Sequence, residues 1–525
     1  MRKILATIMT ICLLASVLCV GASAATVSTN DVIRVYGLQK DGKTTVLLNG
    51  YTKFDEGWEA AVDYAEDHDF MDKNGYDRIA VDLLADWNAN DKGEFGESWK
   101  FASDWGDGFQ YSTIYVPGNT RMMINMNGHT INRGLKQYEL DGEVICIDDN
   151  ADLIINGGKN GDSIARPDEN TEAVFGTITG GFSSNGAGGI HMQDGSKLTL
   201  NNVKIEGNRV EDDDGAGIAV YNGASLTVNG GSIANNLLIC KGVSYVYGAG
   251  IYVKKSTVSL NKVLLQNNNS NGQPEYHPDY RYHCFGAAIY ATDSTVTVDS
   301  CLFQDNGQHL GLFIDTHCVI CVYDDSQMTI RQTTFRRSGC GQRRTNGYTS
   351  DYYGSALFYT SDSSLSLESC YFTENSAEAI LSVGSGSILN VGETVFKNNY
   401  STVYDYIGSS KDSGSCIFTK CTFKNNAPGG NYTHSLYLKT AGNHPTFVDC
   451  DLGDSSFDDR SKAKFTDTGA ENGVSSIFGE GSLTMIIAIL ALVASAASIC
   501  LTVVLFKQNA VSATANGAYE SDDEE

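Results

Sequence analysis

Glu211, Asp212, Asp213 and Asp214 form an unbroken run of four carboxylates. Hard divalent cations take oxygen ligands, so Asp212, Asp213 and Asp214 are a weak calcium candidate. A run of this kind is more often a solvated turn. Cys318 and Cys321 stand in a C-x-x-C with His317 beside them. A closed metal site needs a second ligand pair, and a redox motif starts a helix, whereas this stretch has strand character. The pair reads as core cysteines or a local disulfide. His129, within Asn127-Gly128-His129-Thr130-Ile131, reads as a corner residue with its ring satisfied locally. His191 alternates with Ile190 and Met192, so it is expected to face outward and to be exposed. Paired carboxylates occur at Asp148-Asp149, Asp324-Asp325 and Asp458-Asp459.

Two longer stretches gather aromatic and hydrogen-bonding groups. One holds Tyr280, Arg281 and His283; the other holds Arg343, Arg344, Tyr348, Tyr352 and Tyr353. Tyrosine offers a flat apolar face with a polar tip, and arginine a rigid fork of donors. Together they suit an extracellular glycan or protein ligand. Ordinary loop packing is the alternative.

What positions these groups is a repeat. Each copy opens Gly-Ala/Gly and an apolar strand, passes a few polar residues, and reaches an L-x-L pair. Further apolar positions follow three and five residues later, and an asparagine at eight. The pairs are Leu198/Leu200, Leu226/Val228, Val258/Leu260, Val296/Val298, Met328/Ile330, Leu365/Leu367, Leu389/Val391 and Cys416/Phe418. The asparagines are Asn208, Asn236, Asn268, Asn306, Asn375, Asn399 and Asn426, with Ser338 in the remaining copy. Alternation with period two means strands with one buried face. Copies made only of short strands and turns must stack, with equivalent residues ~4.8 Å apart. Cys301, Cys370 and Cys421 then share one inward position, and Phe303, Phe335, Phe372, Phe396 and Phe423 another. Leu200 to Asn208 also fits the leucine-rich-repeat core. That solenoid needs a helical return path, however, and the return here, as in Gly250-Ile251-Tyr252-Val253, is a strand.

The sequence resembles right-handed parallel β-helix proteins of the pectin-lyase-like superfamily. Phe303-Gln304-Asp305-Asn306, Phe372-Thr373-Glu374-Asn375, Phe396-Lys397-Asn398-Asn399 and Phe423-Lys424-Asn425-Asn426 are similar to the F-x-x-N repeat of polymorphic outer-membrane proteins. Gly188-Gly189-Ile190 and Gly248-Ala249-Gly250-Ile251 resemble their companion glycine motif. The resemblance implies an all-β solenoid. It also implies a comparison with the N-T-D, G-H-G and R-I-K sets of hydrolases on this fold, none of which occurs here. No catalytic residue is therefore assigned. A cell-surface binding or adhesion module is the expected function. A polysaccharide lyase or glycoside hydrolase, and a structural spacer, are the alternatives.

The ends set the expected topology. Arg2, Lys3, the apolar run Ile4 to Val20, and Ala22-Ser23-Ala24 read as an export signal over residues 1–24. Residues 483–506 carry no charge over 24 positions, ~36 Å of helix, and Lys507 follows. The expected layout is a capping region over 25–110, a parallel β-helix over 111–455, a stalk over 456–482, a transmembrane helix over 483–506 and an acidic cytoplasmic tail over 507–525. The capping region includes an amphipathic helix near Glu56 to Glu66, with Trp58, Ala61, Val62 and Ala65 on one face. The ectodomain is then extracellular, on a single-pass membrane protein. A net charge of −26 argues against nucleic acid as a partner. A chain ending before Leu483 is expected to stay soluble on cell fractionation; its retention with membranes contradicts this topology.

Overall fold

A strand repeat with one apolar edge buries that edge only against other copies, and here the copies coil. The computed structural model describes residues 28–466, apart from 96–98, 101–109, 112, 160–161, 170–171, 243–244, 273–281, 308–313, 340–355, 378, 385, 402–406, 410–414, 429–439, 442–444 and 454–463. The expected signal, transmembrane helix and tail lie outside the described residues. Among the described residues no helix is long and apolar enough to cross a membrane.

Each coil passes in the same order through three sheets. The first is ten-stranded and holds the strands that follow the glycines, among them Ile145–Ile147, Ile190–Met192, Ile218–Tyr221, Ile251–Lys254, Tyr282–Thr292, Ile314–Tyr323 and Ala356–Ser361. The second is fifteen-stranded and holds the L-x-L strands, from Arg121–Asn125 to Thr446–Val448 and beyond. The third is eleven-stranded and holds the phenylalanine strands, such as Leu302–Gln304 and Thr334–Arg336. Within the coil all three pair in parallel. Leu198, Leu226, Val258, Val296, Met328, Leu365, Leu389 and Cys416 pair one to the next, so the register matches the aligned repeat without a slip. The return path is a strand in every described coil, which excludes the leucine-rich-repeat geometry.

Residues in the left-handed region turn all three corners; between the first and second sheets they include Lys255, Asp293 and Asp362, with φ between 49° and 51°. Between the second and third sheets these include Asn202, Lys262, Ser300, Gln332, Ser369, Glu393 and Lys420, with φ between 47° and 55°. After the third sheet they include Asn235, Asn267, Asp305, Arg337, Glu374, Asn398 and Asn425, with φ between 47° and 57°. Most are not glycine, so each corner carries a cost of roughly 1–2 kcal/mol. What offsets it is the residue that follows. After the corners that follow the third sheet comes the buried asparagine. Asn268 donates Nδ2 to the Ile233 carbonyl (2.8 Å) and its Oδ1 accepts from the Asn236 backbone N–H (3.3 Å) and from Asn236 Nδ2 (3.1 Å). Asn236, Asn306, Asn375, Asn399 and Asn426 repeat the bond to a carbonyl one rung back, at 2.8–3.1 Å. Ser338 keeps the line unbroken, accepting from the Asn306 N–H and donating its own N–H to Asn375 Oδ1. After the corners between the second and third sheets, Cys301, Thr333, Cys370, Thr394, Cys421 and Cys450 share one position. The backbone N–H of Cys301 donates to Thr333 Oγ1, of Cys370 to Thr394 Oγ1, and of Cys421 to Cys450 Sγ. Serines do the same at the remaining corner, where Ser256, Ser294 and Ser326 each donate N–H to the hydroxyl of the next.

Inside the coil the five phenylalanines stack with centroids 4.8, 4.7, 4.7 and 5.0 Å apart. The spacing is that of the rungs. Cys318 and Cys321 form a disulfide, and both are buried.

The first rung is closed by an N-terminal cap. The amphipathic helix spans Phe54–Glu66, two residues longer than expected, and buries Gly57, Trp58, Ala61, Val62 and Ala65. Trp58 also donates its indole N–H to the Tyr115 carbonyl at 3.1 Å. A second helix, His68–Asn74, is capped by the Asp67 side chain and ends at Gly75 with φ 69°. The sequence reading missed it, along with the antiparallel strands Ile33–Gln39 and Thr45–Tyr51. These extend the second sheet past Tyr76–Leu83 and cover its edge.

The coils vary in length after the asparagines, and several of these inserts carry strands. Phe182–Ser183, Arg209–Glu211, Leu237–Cys240 and Asn269–Gly272 form a small fourth sheet. Val210, Leu238, Cys240, Val246 and Cys284 make a separate buried cluster there. Leu237-Leu238-Ile239-Cys240 is a four-residue apolar run without alternation, too short to separate a strand from an apolar loop.

Asn268→Ala leaves the Ile233 carbonyl and the Asn236 N–H buried without their partner. It is expected to lower stability by about 2–4 kcal/mol. Lys262→Ala, at an exposed corner, should cost much less. Chemical unfolding of both variants checks this; equal losses contradict the ladder's role.

Candidate functional site

Strands of the first sheet read apolar-x-apolar, so the middle residue of each points away from the core. Pairing aligns these residues in one outward row: Tyr115, Cys146, His191, Ala219, Tyr252, Tyr290, Cys321, Tyr359 and Ser382. Two positions further along their strands, Tyr221 and Tyr323 lean back over this row. The result is a continuous aromatic line. His191 meets Tyr221 edge-on at 5.3 Å. Tyr221 to Tyr252, Tyr252 to Tyr290, Tyr290 to Tyr323 and Tyr323 to Tyr359 follow at 5.5, 5.6, 5.7 and 5.3 Å. Tyr247, from the strand Tyr245–Tyr247, joins the flank at 4.6 Å from Tyr290. The rings pack against one another along the whole line. Burial pushes the phenols of Tyr221, Tyr252 and Tyr290 well up, with nearby carboxylates adding to the effect, so they remain neutral donors.

At one end the line runs into a recess of about 260 Å³, lined by Asn185, Gly186, His191, Gln193, Asp194, Asp213, Tyr221 and Asn222. Gly186, with φ 77°, lies flat against the His191 ring; a Cβ there would stand 2.7 Å from it. Behind His191 sit Cys146, its partner one rung back, and Glu143, three residues before Cys146. One ligating atom from each of Glu143, Cys146 and His191 lies within 4.8 Å of the other two. Glu143 is 2% exposed. The nearby Arg133 guanidinium donates instead to the Gly93, Asp141 and Glu143 carbonyls. Glu143 Oε2 therefore has no hydrogen-bond partner. Burial raises the Glu143 carboxyl to about 7 and lowers the His191 imidazole to about 4. The histidine is thus neutral at pH 7, and half-buried rather than simply exposed as the sequence suggested. Its outward direction is as expected.

The acidic run borders the same recess, but its members take separate backbone partners. Asp212 accepts from the N–H groups of Lys241 and Gly242. Asp213 accepts from Gly186 and Asp214, and Asp214 from Tyr247. Burial, then the charge of Asp213, raises the Asp214 carboxyl to about 8.

Of the ligand-binding residues expected from sequence, only His283 is among the described residues. Tyr280, Arg281, Arg343, Arg344, Tyr348, Tyr352 and Tyr353 lie outside them. His283 stacks on Tyr245 at 5.3 Å, and that tyrosine is 54% exposed. His283 thus joins the flank of the aromatic line. His129 turns a corner and faces Asp86 at 3.3 Å, as expected. Glu143, Cys146 and the tyrosine row were not singled out from sequence. Aligning the strands after the glycines would have found the row, because Cys146, His191, Tyr252, Tyr290 and Tyr359 all fall in the middle position. Glu143 had no such signal.

Residues 114–341 and 282–452 each match the right-handed β-helix region family. The chain belongs to that family. Neither a curated protein nor a solved structure matches it. In this right-handed β-helix protein the site therefore has to be judged on its own chemistry, because the fold hosts many functions.

The raised Asp214 carboxyl has a consequence for stability. Between its ordinary 3.8 and about 8 the folded chain keeps the proton while the unfolded chain loses it. Stability from this group is full at low pH and falls as pH rises toward 8. Asp214→Asn keeps an acceptor for the Tyr247 N–H and removes the titration. Its melting temperature is expected to match wild type near pH 4 and to exceed it at pH 8. A gap that shrinks as pH rises contradicts the assignment.

Proposed function

We propose that the chain is a cell-surface binding protein for neutral glycans, exported by residues 1–24 and held by the helix expected at 483–506. The observation that carries this reading is the aromatic line from His191 to Tyr359. Six rungs, separated by five spacings of ~4.8 Å, give it a length of about 24 Å. Each tyrosine pairs a polar hydroxyl with an apolar ring, and the row repeats that pairing along one axis. That periodicity suits a ligand that is itself a repeating chain. Asp194 and Asp213 at its end, and a net charge of −26, disfavour acidic polymers. Protein ligands and a spacer role are the alternatives.

A second reading, cleavage of a glycan, has one observation in its favour. Carboxyls raised to about 7 at Glu143 and about 8 at Asp214 hold protons in the range where a general acid works. The missing hydrolase motif sets weigh against it.

Tyr290→Phe combined with Tyr323→Phe removes two hydroxyls and leaves the ring stack in place. On a panel of neutral polysaccharides, wild type is expected to bind and the double variant to bind roughly tenfold more weakly, with an unchanged melting temperature. Binding that is unaffected places the ligand elsewhere. Release of new reducing or unsaturated ends supports the cleavage reading instead.

A further inference from the structure

We propose that Glu143, Cys146 and His191 form a zinc(II) site at the inner wall of the recess. The inference is independent of the glycan reading. Three observations converge on it. First, the register places Cys146 and His191 side by side on adjacent rungs, and the chain just before Cys146 brings Glu143 to the same point. Second, Glu143 Oε2 is buried without a partner, close to a thiol and an imidazole. An unsatisfied buried carboxylate oxygen is costly, and a cation is the partner that would satisfy it. Third, one sulfur, one nitrogen and one oxygen make a borderline-soft set that fits zinc better than calcium or magnesium.

The geometry is close to what coordination requires. Bonds of ~2.0–2.3 Å in a tetrahedron put ligand atoms ~3.3–3.8 Å apart. The three ligating atoms lie within 4.8 Å of one another, so coordination calls for them to close by about 1 Å at most. Gln193 donates to Cys146 Sγ at 3.6 Å and orients it from outside the triad. His191 and Gln193 both line the recess, so a fourth ligand, water, enters from there. As the metal binds, Cys146 gives its thiol proton and Glu143 its carboxyl proton to solvent. No oxidant or reductant takes part. Zinc with three protein ligands and one open position is the arrangement found where zinc polarises water or a carbonyl, rather than in closed structural sites.

Cobalt(II) serves as the probe, because its thiolate charge-transfer and visible bands report ligand type and coordination number. The full-length protein in detergent is stripped with chelator and titrated. The expected result is one cobalt per chain with a thiolate charge-transfer band and the spectrum of a four-coordinate ion, displaced by one equivalent of zinc and not by excess calcium. Cys146→Ser should abolish the charge-transfer band. Glu143→Gln and His191→Ala should each weaken binding by at least ~10-fold. If Cys146→Ser fails to fold by circular dichroism, His191→Ala, at a half-buried position, decides the matter. Cobalt bound without a charge-transfer band, cobalt displaced by calcium as at an oxygen-only site such as Asp212 to Asp214, or affinity unchanged by His191→Ala each overturns the proposal.

Discussion

Seven asparagines and one serine, each one residue past a left-handed corner, tie the rungs from Asn208 to Asn426 to one another through buried side-chain hydrogen bonds. The rest of the structure depends on this line. Backbone pairing alone is alike in any register, and burial of the apolar face excludes only slips by an odd number of residues. The asparagine amide removes that freedom. Its carbonyl oxygen receives the backbone N–H of the preceding rung's asparagine, and its amino group reaches the carbonyl of the strand one rung back. A slipped register would leave both buried and unmatched. The cysteine–threonine line and the serine line repeat the device at the other two corners. Strained corners of many residue types are held by whatever follows them, which is why Lys, Glu, Gln and Arg appear where glycine is the easier choice.

Register then becomes function, because an outward row exists only if the inward rows are aligned. Cys146 faces His191, and Tyr252 faces Tyr290, for the same reason that Leu198 faces Leu226. The same alignment joins the aromatic line to a recess lined by two carboxylates, Asp194 and Asp213, with a buried glutamate behind it. Coil length varies without disturbing this. Inserts leave the coil after the asparagine corner and rejoin it before the next glycine, and some of them build a small sheet with a core of its own.

The inward face was legible in the sequence almost residue by residue. The L-x-L pairs, the phenylalanines and the asparagines each repeat, and a repeated residue type in an alternating strand has one physical reading. Thr333 and Thr394 alternate with cysteine at one corner position because each offers an acceptor of similar size to the neighbouring N–H. The family was legible for the same reason. The N-terminal strands were not, since Ile33–Gln39 and Thr45–Tyr51 pair antiparallel and belong to no repeat. The recess was hardest to read. Glu143 lies at a corner with no repeated counterpart, and its closeness to His191 is a long-range contact that spacing does not encode. The outward row was present in the letters, but its residues differ from rung to rung, so no single type marked it.

Amide hydrogen exchange measures the central claim most directly. If the corner ladders lock the coils in register, the backbone N–H groups of Asn236, Asn268, Asn306, Asn375 and Asn399, each bound to a side chain of the next rung, should exchange as slowly as the strand amides of Leu200, Val228 and Leu260. Exchange at these corners that is fast, at the rate of exposed turns while the strands stay protected, would show that strand pairing alone holds the coil and would contradict the account.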